Sequence, residues 1–410
     1  MSGIVLSASV RQNLLSLQST ADLLSVTQNR LATGNKVNSA LDNPTNFFTA
    51  QGLNNRSSDI NNLLDSIGNG VQVLQAANQG ITSIQKLVDT AKSIANQALQ
   101  APSGYTTKAA GTFTGSGTAA TTPVGDLDGT KLNGSVLTFK NADGTAATIT
   151  IGGTAAAFDA TNKTAVVNTL DELNKALSAA GVGLTASKSG ADELTFTSTN
   201  DSASQALSTG ASTVAANSID ITGSGGTAAI TTASPTADTN SQNTRAGLIS
   251  QYNAVIDQIK TTAQDSSFNG INLLNGDQLK LVFNETGKST LTIQGVTFDP
   301  AGLGLSSLTK GTDFLDNAST NAVLDKLNNA ASTLRSQAST FGSNLSIVQI
   351  RQDFNKNLIN VLQTGASNLT LADTNEEAAN SQALSTRQSI AVSALALANQ
   401  SQQSVLQLLR

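Results

Sequence analysis

Side chains that commonly carry out catalysis are scarce in this sequence. Its 410 residues include no Cys and no His, which excludes thiolate nucleophiles, imidazole bases and nearly all zinc sites. Two adjacent acidic pairs, Asp171 with Glu172 and Asp192 with Glu193, are of the type that performs acid–base work in glycoside hydrolysis. Such neighbours more often form a solvated face, and no aromatic residues accompany them. The sequence predicts no enzyme, metal site or cofactor.

Charge and hydropathy limit the class of partner. The formal net charge is −5, and Lys and Arg form no cluster, so no nucleic-acid partner is expected. The longest strongly apolar run, Ile390 to Ala398, is about half the length of a membrane-spanning helix, which predicts no membrane partner. The amino end, Met1 to Val10, lacks the features of a cleaved secretory signal. Only 3% of residues are aromatic, which favours helices that approach closely over an enzyme-like core.

The amino-terminal hundred residues carry apolar side chains at the alternating 3–4 spacing of a coiled-coil seam. A break at Gly34 and a turn at Asp42 to Pro44 predict two separate helices. The first seam comprises Val10, Leu14, Leu17, Ala21, Leu24 and Leu31. The second comprises Ile60, Leu63, Ile67, Gly70, Leu74, Ala77, Ile81, Ile84, Val88, Ala91, Ala95 and Ala98. Its average period of about 3.5 predicts a left-handed supercoil against a partner helix.

The carboxyl end repeats this spacing, again in two blocks. The first block comprises Leu327, Ala331, Leu334, Ala338, Phe341, Leu345 and Val348, followed in a shifted register by Phe354, Leu358 and Val361. The second comprises Leu384, Ala391, Leu395, Ala398, Val405 and Leu409. Two helical blocks at each end predict that the ends fold back on one another as an antiparallel bundle.

The middle of the chain changes character at Ala101, where Gly and Thr become frequent and the heptads stop. Period-2 patterns predict strands at Ser135 to Phe139, Ala146 to Ile151, Leu184 to Ser189 and Glu193 to Ser198. An amphipathic helix is predicted from Lys163 to Ala180, and a Ser/Thr/Gly-rich stretch, Gly223 to Thr239, is expected to end the insert. A helix then follows from Arg245 to Ala263, before a hairpin of Gln278 to Phe283 and Ser289 to Phe298.

The predicted fold is mainly α: an antiparallel long-helix coiled-coil bundle formed by both chain ends, with a β-hairpin and a small inserted α+β domain. Residues 1–43 and 366–410 are assigned to a terminal helical pair. Residues 44–101 and 240–365 are assigned to a helical bundle with the hairpin, and residues 102–239 to a surface-exposed insert.

Three segments of the chain resemble the bacterial flagellin family. The segment Arg30-Leu-Ala-Thr-Gly-Asn-Lys-Val-Asn-Ser-Ala-Leu-Asp42 is similar to the family pattern Arg-Leu-Ser-Ser-Gly, two or three residues, Asn-Ser-Ala, one residue, Asp. Phe268-Asn-Gly-Ile-Asn-Leu-Leu274 resembles the turn that enters the family's hairpin. Ala398-Asn-Gln400 and Val405-Leu-Gln-Leu-Leu-Arg410 resemble its carboxyl end. These matches anchor residues 1 to 100 and 240 to 410.

The resemblance implies a structural subunit that polymerises into the extracellular flagellar filament and enables swimming. It implies a terminal helical pair that lines the filament channel, a surrounding bundle, and an insert that faces outward, here placed before the hairpin. The implied partners are other copies of the chain, the flagellar type III export apparatus, a secretion chaperone, and the hook-associated and cap proteins. The alternatives are a hook–filament junction protein, which shares the terminal helices, and a coiled-coil-stalked adhesin or carbohydrate-active surface protein.

The terminal helices are expected to carry the assembly contacts. Between residues 1 and 29 only Arg11 and Asp22 are charged, and between residues 378 and 409 only Arg387 is. Helices with an apolar seam and hardly any charge need burial by neighbouring chains, because each buried Leu contributes roughly 1.5 to 3 kcal/mol. The assembly residues predicted on this basis are Val10, Leu14, Leu17, Leu24, Leu31, Leu384, Leu395, Val405, Leu408 and Leu409.

Two further features of the amino-terminal half have competing interpretations. Gly68, Gly70 and Gly80 either permit close helix contacts in a polymer or are merely tolerated. Asp42 to Pro44 is either a subunit contact or, more simply, a helix start.

The first long helix also carries the positions that match the surface read by the vertebrate innate flagellin receptor. In stimulating family members this surface resembles Gln-Arg-x-Arg-Glu-Leu-Ala-Val. The matching residues here are Gln85, Lys86, Val88, Asp89 and Thr90. Val88 replaces an Arg and Thr90 a Leu, so recognition is expected to be weak because a forked guanidinium is lost. The heptad pattern alone also explains Val88.

Overall fold

A computed structural model describes residues 8–102, 104–211, 213–215 and 217–408. The chain divides into two compact units. The terminal unit comprises the described residues of Met1–Gln72, Leu279–Ile293 and Asn344–Arg410. The central unit comprises those of Val73–Gln278 and Gln294–Ser343. The three-part division drawn from the sequence stays a prediction.

Six helices lie within the described residues, and five of them have 26 residues or more. They are α1 (Ala8–Thr33), α2 (Pro44–Gln100), α3 (Leu170–Ala179), α4 (Thr239–Asp265), α5 (Asn317–Thr370) and α6 (Thr374–Leu408). The predicted helical blocks at both chain ends are confirmed. No helix among the described residues is long and apolar enough to cross a membrane.

The apolar stripe along α2 is the seam that the heptad spacing predicts. Every residue of that seam is buried except Leu63, which is half-buried. In the terminal unit, Ile60 packs with Ile359 and Leu362 of α5. A fully buried Ile contributes roughly 1.5 to 3 kcal/mol, so this stripe supplies much of the free energy that holds the helices together.

Two glycines of α2 allow neighbouring segments of the same chain to come close. A Cβ at Gly70 would overlap the Leu281 side chain, and one at Gly80 would overlap Ser266 and Leu274. At Gly68 the nearest atom lies 4.0 Å away, on Gln352. Gly70 and Gly80 therefore serve intramolecular packing, and at Gly68 the surroundings leave room for a side chain.

The central unit contains a β-rich insert whose strands belong to two sheets and one short pair. Its strands are β1 (Tyr105–Thr107), β2 (Ala110–Gly115), β3 (Val136–Asn141), β4 (Ala146–Ile151), β5 (Ala156–Asp159), β6 (Thr164–Val167), β7 (Leu184–Lys188), β8 (Glu193–Ser198), β9 (Ala206–Ser208), β10 (Ser218–Ser224), β11 (Gly226–Thr232) and β12 (Thr236–Ala237). The six-stranded sheet has the order β5-β6-β4-β3-β10-β9, and the four-stranded sheet the order β11-β2-β8-β7. Strands β1 and β12 pair with one another.

The insert has its own apolar core. Phe139 of β3 and Phe196 of β8 meet edge to face with 5.3 Å between ring centroids. Leu173 and Leu177 of α3 are buried in the same cluster. Strands β4 and β8 have the predicted bounds, since strict alternation of buried and half-buried residues marks both.

One prediction in the insert is wrong. The helix expected from Lys163 begins only at Leu170, because Thr164–Val167 pairs with β4 as a strand. A reciprocal capping box between Thr169 and Glu172 sets this helix start. The Ser/Thr/Gly-rich stretch near Gly223 contains parts of the paired strands β10 and β11, which the sequence analysis did not predict. Cross-strand pairing stabilises these strands despite their many small residues.

Buried polar groups hold α4 and α5 against the ends of the insert. The Arg245 guanidinium, 1% exposed, donates to the carbonyl oxygens of Ala101, Pro102 and Phe314. Asp316 accepts hydrogen bonds from the backbone N–H and the hydroxyl of Ser204, at 3.2 and 2.5 Å. Removing one partner of such a group typically costs about 1 to 3 kcal/mol, so these contacts define the geometry of the central unit.

The predicted hairpin is present and consists of β13 (Gln278–Val282) and β14 (Thr290–Gln294). Its second strand ends at Gln294 rather than at the predicted Phe298. The turn before the hairpin has Asn269 and Gly270 at φ 50° and 79°, a conformation that favours Gly and Asn. Asn272 is buried, and its amide donates to the carbonyl oxygens of Ala263 and Gln264. This side chain therefore satisfies the carboxyl end of α4.

Because of Tyr252 in α4, the free energy of unfolding is expected to fall as the pH rises in the alkaline range. It packs edge to face on Phe314, and burial, followed by the charge of Asp313, raises its pKa from 10.0 to about 12. Because the folded pKa lies above the unfolded one, the contribution of Tyr252 is complete below about pH 10 and is lost as the pH rises towards 12. Urea titrations should show the free energy of unfolding falling less steeply over this range in Tyr252→Phe than in the wild type. An equally steep fall of the unfolding free energy with pH in both proteins would contradict the raised pKa of Tyr252.

Candidate assembly surface

Helices α1 and α6 pack together but cover only part of each other's apolar surface. Val10, Thr20 and Thr27 are buried on α1. Large apolar side chains remain exposed on both helices. They are Leu14, Leu15, Leu23, Val26 and Leu31 on α1, and Ile390, Val392 and Leu397 on α6. Leu397 is 68% exposed. Contiguous exposed apolar surface of this kind marks a site of interaction with another molecule.

The predicted assembly residues divide between the two faces of this pair. Val10 is buried, and Leu17, Leu24, Leu384 and Leu395 are half-buried. Leu14 and Leu31 are exposed. Leu409 lies outside the described residues, as do the side chains of Val405 and Leu408. The heptad residues thus mostly hold α1 against α6, while Leu15, Leu23, Val26 and Leu397, which the heptad analysis missed, form much of the outer face.

A shallow, open depression lies on this outer face of α1, and we call it the α1 groove. Leu15, Gln18, Ser19, Asp22, Leu23 and Val26 line an open concavity of about 410 Å³. Asp22 is the charged residue among its lining residues. The groove is therefore suited to an apolar side chain of a partner helix.

Backbone hydrogen bonds join the segment that connects α1 to α2 with the segment that connects α5 to α6. Lys36 donates its N–H to the carbonyl of Thr370 at 2.7 Å, and Ala372 donates to that of Gly34 at 3.0 Å. Arg30 and Glu377 form an ion pair at 3.3 Å between α1 and α6. The connections α1–α2 and α5–α6 therefore act as one paired junction.

Asp42 has a local role in this junction. Its carboxylate accepts hydrogen bonds from the backbone N–H groups of Ser39 and Asn38, at 2.8 and 3.0 Å, which lower its pKa. The side chain of Asn43 caps the first turn of α2 by accepting from Asn46 N–H at 3.0 Å. This geometry supports the helix-start interpretation of Asp42 to Pro44.

Helix α5 carries a second exposed apolar stripe, and here the predicted register is wrong. Phe354 and Val361, expected in the seam, are 56% and 66% exposed. They align with exposed Ile347 and Ile350 at spacings of 3, 4 and 7 residues. The inward face of this stretch consists instead of Val348, Asn355, Ile359, Leu362 and Ala366. Both faces are apolar, so periodicity alone did not distinguish them.

The hairpin determines which face of α5 points inward. Buried Asn355 donates its amide to the carbonyl of Phe283 at 3.0 Å. The Arg351 guanidinium lies 5.8 Å from the centre of the Phe283 ring. Burying the Asn355 amide without a partner such as that carbonyl would cost free energy. The hairpin therefore favours the orientation of α5 that buries Asn355 and leaves Phe354 on the outer face.

The positions that correspond to the receptor-binding surface are not all on the surface. Lys86, Asp89 and Thr90 are exposed and Gln85 is half-buried, whereas Val88 is 0% exposed. Val88 belongs to the α2 seam, so an Arg there would bury a guanidinium in packed apolar residues. Weak recognition by the innate receptor stays a prediction, and it depends on the exposed members of the set.

Three of the four carboxylates named as catalytic candidates, Asp171, Glu172 and Asp192, have structural partners. Asp171 pairs with Lys175 at 2.6 Å. Glu172 accepts from Thr169 N–H at 3.2 Å in the capping box, and from Asn168 N–H at 2.8 Å. Asp192 accepts from Lys131 N–H at 3.0 Å, a contact that lowers the Asp192 pKa. Within the part of the chain that the structure describes, no group of acidic residues could hold a metal ion. These carboxylates hold turns and helix ends in place.

Both helical ends of the chain match known family models. The model of the bacterial flagellin N-terminal helical region matches residues 5–110. The model of the bacterial flagellin C-terminal helical region matches residues 324–409. The two matched segments include α1, α2 and α6 and nearly all of α5, and so contain the exposed apolar faces described above.

Curated relatives include several flagellins. Flagellins FljK and FljM of Caulobacter vibrioides are each 32% identical over 165 residues, which is 40% of this chain and 59% of theirs. Flagellin C of Rhizobium meliloti is 34% identical over 98 residues, 23% of this chain and 30% of that one. The match thus spans about three fifths of the Caulobacter relatives.

A solved structure of the D1, D2 and D3 domains of the flagellar cap protein FliD from Escherichia coli aligns with 67% of the chain. The identity is 14% and the TM-score 0.14, which carries no inference about the fold. Because both helical ends match models of one family and its curated relatives are flagellins, the chain belongs to the bacterial flagellin family.

Proposed function

We propose that this chain is a non-enzymatic structural subunit that polymerises into the bacterial flagellar filament. The observation that carries the proposal is the apolar surface left uncovered on α1, α6 and the outer stripe of α5. Burying several such side chains between copies contributes roughly 1.5 to 3 kcal/mol each. A regular polymer buries the same surface on every copy.

The arrangement of the exposed faces favours an open polymer over a closed dimer. The α1 groove and the α5 stripe, which carries Phe354, are different surfaces. Contacts between unlike surfaces are heterologous, and they generate helical filaments when the rotation between copies does not close a ring. Few charges oppose such contacts on α6, where Arg387 is the one charged residue between 378 and 408.

In this proposal the terminal pair, residues 1–43 and 366–410, forms the inner core of the filament. Residues 44–101 and 240–365 surround it, and residues 102–239 face outward. The family membership supports an extracellular location and export through the flagellar type III apparatus with a secretion chaperone. It likewise supports contacts with the hook-associated and cap proteins at the ends of the filament.

Electron microscopy and sedimentation of the purified chain test the proposal. Filaments of constant width are expected, together with a folded but non-polymerising chain when residues 1–30 are removed. That deletion removes most of α1, so the face of α6 that packs on α1 loses its partner. Isolated particles from the full chain, or regular filaments from the truncated one, would contradict the proposal.

A charge on the outer face of α6 should block assembly without unfolding the monomer. In Leu397→Asp the new carboxylate is solvated in the monomer, because Leu397 is 68% exposed. It would be desolvated in a packed interface, at a cost of several kcal/mol. We expect unchanged circular dichroism and no material that pellets. Ser178→Asp, on exposed Ser178 of α3, is the matched control and should assemble normally.

Alanine substitutions on the two faces of α5 should separate stability from assembly. Phe354→Ala is expected to change the free energy of unfolding by less than about 0.5 kcal/mol. It should also raise the critical concentration for polymerisation at least about tenfold. Ile359→Ala, at a buried position, should lower the free energy of unfolding by about 2 to 5 kcal/mol. Equal destabilisation by both substitutions would contradict the outward position of Phe354.

A further inference from the structure

Strand β7 forms one edge of the four-stranded sheet in the insert. Its hydrogen bonds to β8 are made at odd-numbered residues, as the flanking bonds from Ser189 to Glu193 and from Thr199 to Gly183 indicate. In an antiparallel pair the intervening residues point their N–H and C=O groups away from the partner. Leu184, Ala186 and Lys188 therefore present these groups to the outside of the sheet.

The middle one of these outward positions is occupied by a side chain. Asn174 of α3 accepts a hydrogen bond from Ala186 N–H at 2.7 Å and donates one to the Ala186 carbonyl at 3.0 Å. These are the two bonds that a residue of an additional strand would make with Ala186. Helix α3 places Asn174 there because its neighbours Leu173 and Leu177 are buried in the insert core.

We propose that Asn174 masks an edge that would otherwise pair with β7 of a second copy of the chain. Unpaired strand edges are templates for pairing with another chain. The β7 edge is self-complementary, since two antiparallel copies related by a two-fold axis offer each other the same donor and acceptor groups. With Ala186 occupied, the free positions at Leu184 and Lys188 lie at opposite ends of the strand and provide no continuous ladder.

The side chains of β7 itself add little to this masking. The strand Leu-Thr-Ala-Ser-Lys contains no Pro, and its one charge is Lys188, whose ammonium donates to the carbonyl of Asp126 at 2.8 Å. Thr185 and Ser187 on the exposed face are small and uncharged. These two side chains add no charge that would repel a second copy.

The test compares Asn174→Ala, Asn174→Asp and the control Ser178→Ala, in the full chain under conditions in which the wild type sediments as a monomer. At protein concentrations low enough to keep the variant monomeric, Asn174→Ala should raise the exchange rate of the Ala186 amide by about tenfold, the factor that one hydrogen bond contributes. At higher concentrations sedimentation velocity should detect dimers. Asn174→Asp also loses the donor but adds a charge at the edge, and should stay monomeric. Ser178→Ala should behave as the wild type.

Three results would overturn the proposal. They are an Asn174→Ala variant that stays monomeric at the higher concentrations, an Ala186 amide that stays protected in the dilute, monomeric variant, and equal dimerisation of the Ala and Asp variants, which would indicate general loosening of the insert. Circular dichroism checks that each variant is folded. The measurement does not depend on filament formation, so it stands even if the proposed polymerisation fails.

Discussion

The structure depends on one apolar stripe along α2, from Ile60 to Ala98, that the rest of the chain covers. Its residues are buried almost without exception. The stripe has no large gaps, because Gly70 and Gly80 let Leu281, Ser266 and Leu274 approach where a methyl group would already overlap. Since buried apolar area is the main favourable contribution to folding, the long helices, which would be marginal as isolated segments, are stabilised by this contact.

At the chain ends, burial of the apolar surface is incomplete. Helices α1 and α6 have apolar residues on more than one side, and each can cover only one side of the other. The outer stripe of α5, with Ile350 and Phe354, is in a similar position. Burial of these faces needs a further partner surface, which connects the packing of the monomer to the proposed function of a filament subunit.

The insert solves its packing differently, with aromatic and β-branched residues between two sheets and a helix. Its connection to the helices is polar: Asp316 holds Ser204, and Arg245 is surrounded by carbonyl oxygens. Polar contacts need defined partners and geometry, so they set the position of the insert without adding apolar surface. A polar contact also acts at the edge strand β7, where the side-chain amide of Asn174 makes both hydrogen bonds to the backbone of Ala186.

The sequence by itself determined the helical ends, the α2 seam and strands such as Ala146–Ile151, because periods of 3.5 and 2 are local properties that burial enforces. It also excluded His- and Cys-based chemistry. Only the tertiary structure decided which face of α5 is inward, since both are apolar and the choice follows from Asn355 meeting the Phe283 carbonyl. Strands β10 and β11 likewise depend on distant partners, because their small residues have no strong local preference. The roles of Arg245 and Asn174 come from acceptors and donors far along the chain or on another element, which no local pattern contains.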